Sequence, residues 1–150
     1  MKYILMVWCF LFSSLVYAEK HILIFVSFSM PKASLIRWSK DAKIIGAPVI
    51  LRGLVNNSFK DTTHAIYAVV KETGSGFQID PLLFSQFDIQ KVPAVVITTC
   101  DDLKSCHEDF KVFYGDIPLE YTLHQISQEE NAYSSIAENA LMRLKEASHE

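Results

Sequence analysis

Three short apolar runs constrain this chain most: HILIFVSF at 21–28, PVILRGLV at 48–55 and VPAVVITT at 92–99. Each is rich in β-branched residues, the first in aromatic ones as well, and none alternates cleanly with polar ones. That pattern belongs to strands covered on both faces. Such strands need helices above and below them, and the intervening segments supply helical spacing. Leu35, Trp38, Ala42 and Ile45 form one stripe. Ser29 is read as the cap of that helix, Pro31 as a first-turn residue, and Gly46 as the stop. Asn56, Asn57 and Ser58 form a turn that offers an N-cap to a second helix. Phe59, Ile66, Val69 and Val70 are expected on its inner face, with Gly74 closing it.

The remainder is shorter in its elements. Phe77–Ile79 reads as a short strand, and Pro81–Phe87 as a short helix with Leu83, Phe84 and Phe87 turned inward. Cys100–Glu108 is polar and acidic, and is expected to be an exposed connection. Phe110–Tyr114 alternates, as an antiparallel strand does. Pro118–Ile126 and Tyr133–Leu144 carry helical spacing. Two strands joined through a helix should be parallel, and the final pair antiparallel. The fold class expected is α/β, a mixed central sheet flanked by helices, in a thioredoxin-like layout.

The first eighteen residues read differently. Lys2 precedes an unbroken apolar run from Tyr3 to Phe12, and Val16-Tyr17-Ala18 suits a signal peptidase. Residues 1–18 are expected to be a signal peptide, and 19–150 the folded domain. The other reading is a membrane anchor, but the run is short for a span of about 20 residues. Residues around Cys9 do not fit a lipoprotein site. With the signal removed, no stable membrane insertion is expected. Export also changes the meaning of the cysteines. Of the three, only Cys100 and Cys106 would remain, and in an oxidising compartment the simplest state is a disulfide. A labile redox bond and a metal site nearby, using Asp101, Asp102 and His107, are the alternatives. The spacing matches no recognised zinc pattern. A net charge of −3 argues against nucleic acid as a partner. No P-loop or dinucleotide fingerprint is present, and no cofactor is expected.

Three segments carry a family resemblance: ILIFVSFSMPKASLIRW at 22–38, VILRGLVNNSF at 49–59 and IDPLLFSQFDIQKVPAVVI at 79–97. Together they resemble the TrbC family of F-type conjugative pilus assembly proteins. The resemblance implies a periplasmic, thioredoxin-like component of a type IV secretion apparatus. It implies other periplasmic assembly proteins as partners, TraW-type ones among them. It also implies a relative of disulfide isomerases that has given up the usual active site.

The residues agree with that last implication. Redox members of such folds place Cys-x-x-Cys at the start of the helix after the first strand, where the helix end lowers the thiol pKa. Here the place reads Ser29-Met30-Pro31-Lys32, and a hydroxyl cannot carry electrons. The chain is therefore expected not to be an enzyme. Pro93 falls where such folds hold a cis-proline beside that helix; otherwise it simply begins a strand. Phe28, Ser29, Met30, Pro31, Lys32 and Pro93 are the expected protein-binding surface. The resulting reading is a non-catalytic scaffold. Its rivals are a thiol oxidoreductase or isomerase using Cys100 and Cys106, and a redox-independent chaperone for pilin.

Overall fold

A computed structural model describes residues 21–149. The expected signal at 1–18, with Cys9, lies outside the described residues. These form β1 (Ile22–Val26), α1 (Lys32–Ile45), β2 (Val49–Leu51), α2 (Phe59–Thr73), β3 (Phe77–Ile79) and α3 (Pro81–Gln86). They continue with β4 (Ala94–Thr98), β5 (Phe110–Tyr114), α4 (Leu119–Ser127) and α5 (Ser134–Ala147). The sheet runs β3-β2-β1-β4-β5. β1, β2 and β3 are mutually parallel neighbours, whereas β4 runs antiparallel to both β1 and β5. This is the mixed α/β architecture that the order of elements predicts.

Alternation along β1 divides the interior. Ile22, Ile24 and Val26 face one layer, where Trp38 and Ala42 of α1, Leu123 of α4 and Leu141 of α5 pack against them. Leu23 and Phe25 face the other, which holds Phe84, Phe87, Ile89 and Cys106. Phe25 meets Phe84 edge-on with ring centroids 4.9 Å apart, a favoured aromatic geometry. Both faces are thus covered, which is why these strands are apolar throughout.

The helix ends follow local chemistry in most places. Gly46 takes φ of 77° and Gly74 of 67°, left-handed values that cost glycine little. The Ser58 hydroxyl accepts the Asp61 N–H at 3.2 Å and caps α2. Asp80 accepts from Leu82 and Leu83 and caps α3.

Three expectations are corrected and one is narrowed. Ser29 does not cap α1: Pro31 occupies the N-cap and offers no side-chain bond, while Ser29 shares a 2.9 Å hydrogen bond with Ser27. Arg52 and Gly53, which interrupt the second apolar run and suggest an end, a bulge or a close approach, mark its end: β2 stops at Leu51 and they begin the following loop. Phe59 is 74% exposed, not inward; Thr62 is the buried residue of that turn, held by hydrogen bonds to backbone. Cys100–Glu108 is not wholly exposed, since Cys106 is buried beneath it.

Ser39 offers a direct test of the packing. It is fully buried within α1, and its hydroxyl has no hydrogen-bond partner among the described residues. Ser39→Ala removes that unpaired group and favours the helix, so it is expected to stabilise the protein by about 0.5–2 kcal/mol. A rise in the urea unfolding midpoint checks this; an unchanged or lower midpoint would mean the hydroxyl finds a partner.

Candidate functional site

The site forms where the parallel strands end. Beyond Val26 and Leu51 the chain turns away on both strands, leaving a cleft of about 620 Å³. Ser27, Phe28 and Ser29 form one wall. Gly53, Leu54 and Val55 form another, and Gln90, Lys91 and Val92 the third. Open α/β sheets characteristically bind at this end of their strands.

Each wall is held by its own contacts. The Ser27 carbonyl accepts the Met30 N–H at 3.1 Å, closing the turn before α1. Buried Thr62 accepts the Val55 N–H at 2.8 Å and donates to the Ser58 carbonyl at 2.7 Å, tying the Leu54–Val55 rim to α2. On the third wall the Arg52 guanidinium bonds the Ile89 carbonyl and stacks 4.9 Å over the Phe84 ring. The Tyr114 hydroxyl donates to the Asp88 carbonyl at 3.3 Å.

Val92 is the open piece of backbone in this cleft. The Val92–Pro93 peptide bond is cis. The β1–β4 ladder ends at the Phe25–Ala94 pair, because the Ser27 carbonyl, which would next face Val92, is already engaged by the Met30 N–H. Gly115 donates to the Pro93 carbonyl at 3.3 Å. Neither backbone polar group of Val92 has a partner among the described residues. It presents one N–H and one C=O on a partly exposed edge, which an extended chain can satisfy.

The sequence-predicted residues separate into three groups. Phe28 and Ser29 line the cleft. Met30 is half-buried against the core, and its sulfur accepts the Ser27 N–H at 3.5 Å; Phe28 also packs inward, 5.8 Å from Phe77 between centroids. Pro31 and Lys32 are exposed on the helix start, and Pro93 is buried behind the cleft wall. Cys100 and Cys106 are joined in a disulfide with Cα atoms 5.7 Å apart. They lie past the far end of β4, roughly 14 Å along the strand from Ala94 at its rise of about 3.4 Å per residue. The structure does not bring the cysteines to the cleft. Among the described residues no three His, Cys, Asp or Glu side chains group to hold a metal ion.

Asp116 is the residue that sequence reasoning passed over. It reads as the second half of a Gly-Asp turn. In the fold its carboxylate accepts the Ser34 hydroxyl at 2.5 Å, the Trp38 indole N–H at 2.8 Å and Arg37 at 2.5 Å. The Ser34 and Trp38 bonds, helped by Arg37, hold its pKa below the usual carboxylate range. The clamp fixes α1, and with it the turn that forms one cleft wall. No short-range signal announces a contact made across 78 positions.

Fold and site together define a disulfide-bearing mixed α/β domain with an open cleft at its strand ends. The model of the type-F conjugative transfer system pilin assembly proteins matches residues 24–126, and the chain belongs to that family. The match takes in the turn before α1, Pro93 and both cysteines, and stops before α5. The periplasmic protein TrbC of Escherichia coli strain K12 is 37% identical over 106 residues. Those residues are 70% of this chain and 47% of that relative, so the chain spans about half its length. The likeness to this periplasmic relative supports the expected periplasmic location. No helix among the described residues is long and apolar enough to cross a membrane. No solved structure matches the chain significantly.

Proposed function

We propose that this chain is a non-catalytic assembly factor of an F-type conjugative pilus, and that its cleft holds an extended segment of another periplasmic assembly protein. TraW-type proteins are the first partners to test. The unpaired backbone of Val92 at the cleft edge carries this reading, because it offers a bonding edge without chemistry of its own. Two further observations support it. The turn beside Val92 is Ser29-Met30-Pro31-Lys32, with no thiol to form a mixed disulfide. The antiparallel β4 beside parallel β1 and β2, with α1 starting at the end of β1, agrees with the thioredoxin-like layout expected of a binding domain.

Leu54 makes the sharpest test. It lines the cleft, is 39% exposed and belongs to neither core layer. Leu54→Gln is expected to lower plasmid transfer at least tenfold, while leaving unfolding within about 0.5 kcal/mol of the parent. Cross-linking from position 54 should capture an assembly protein. Capture of pilin would instead favour the chaperone reading, and normal transfer by the variant would remove the cleft from the mechanism. Asp at Phe28 or Met30 is a poorer probe than the sequence suggests, since both side chains also pack on the core.

A further inference from the structure

We infer that the segment seated in this cleft carries an acidic side chain two positions from an apolar one; this rests on the protein-binding reading above. The inference comes from the charges that line the site. Arg52 and Lys91 both line the cleft, and no Asp or Glu does. That is a local reversal in a chain whose net charge is −3. The two cations differ in a useful way. Arg52 is fixed in place by the Ile89 carbonyl and the Phe84 ring, and a guanidinium has five N–H donors, so most are left for another acceptor. Lys91 is exposed and makes no ion pair or hydrogen bond among the described residues. A fixed cation needs little reordering to receive a carboxylate, and a free one can follow it.

The remaining lining is apolar where it meets these charges. Phe28, Leu54 and Val92 face the same space. An extended segment pairing with Val92 would send alternate side chains to the same side. One apolar side chain would cover Phe28 and Leu54, and an Asp or Glu two positions along would reach Lys91 and Arg52. A free C-terminal carboxylate fits less well, because such ends are captured by nests of backbone N–H groups. Here the positive charge comes from side chains.

The test uses the full chain purified from periplasm, a displayed library of random nonapeptides, and the Lys91→Glu variant. Peptides with Asp or Glu two positions from an apolar residue should be enriched on the parent chain. The best of these, synthesised with blocked ends, should bind at least tenfold more tightly than its Gln counterpart. Lys91→Glu should erase that preference, favour the Lys counterpart and unfold at the parent's temperature. The preference should also weaken as salt is raised. Enrichment without charge preference, unchanged in Lys91→Glu, would overturn the acidic segment yet leave a protein-binding cleft. Binding that disappears when the peptide's C-terminus is amidated would overturn it in favour of a terminal carboxylate. No enrichment of any peptide would remove both the segment and the cleft reading.

Discussion

Removing the disulfide, as Cys100→Ser with Cys106→Ala, is expected to destabilise the protein by about 2–4 kcal/mol without abolishing its function. Closing a loop of this length restricts the unfolded chain by about 2 kcal/mol. Burial adds to that. Cys106 is 1% exposed and packs with Phe87 and Ile89, and Thr98 meets its sulfur at 3.1 Å. Alanine is chosen at 106 so that no new hydroxyl is buried there. The melting temperature should fall on the order of 10 °C. Transfer measured well below that temperature should stay near the parent level, because the bond sits at the opposite end of β4 from the cleft. Thermal unfolding and mating assays at two temperatures check both halves. Unchanged stability with lost transfer would assign the cysteines a redox role instead.

The second large effect is expected at Asp116. Asp116→Ala leaves the indole N–H of buried Trp38 without its acceptor and should cost about 1–3 kcal/mol at neutral pH. The Arg37 ion pair adds little to that figure, since both partners are more than a third exposed. A pH dependence follows from the lowered pKa. The folded state binds the Asp116 proton less readily than the unfolded chain, whose carboxyl titrates near about 3.9. The stabilisation is therefore complete above that value and is lost as pH falls through the folded pKa. The difference between parent and variant in urea unfolding should narrow from pH 7 to pH 3. A difference that is absent, or equal at both pH values, would show that the carboxylate does not hold α1.

Much of the architecture is legible in local pattern. Ile22–Val26 and Ala94–Thr98 are apolar at every position short of Thr98, and both are buried on two faces. The glycines at 46 and 74 stop helices because the backbone there turns left-handed, a preference that needs no tertiary context. Phe59 shows the limit. Its spacing reads as helical, but the first turn of α2 turns Thr62 inward and leaves Phe59 on the outer side. Ser29 fails for a related reason: proline can end the loop and start the helix without a side-chain cap, leaving the serine to its neighbour Ser27.

The candidate site divides along the same line. Periodicity, the missing dithiol at 29–32 and the family-bearing segments are all properties of neighbouring residues, so the chain displays them before it folds. The cleft is not such a property. It needs the ends of β1 and β2, the loop at 90–92 and the Leu54 rim at one place, and these come from three distant parts of the sequence. Folding likewise carries the Cys100–Cys106 loop to the far end of β4 and brings Asp116 to Trp38. Short-range spacing reports which residues share a strand or a helix face. Strand direction and sheet order set which of them meet, and those depend on packing the whole interior at once.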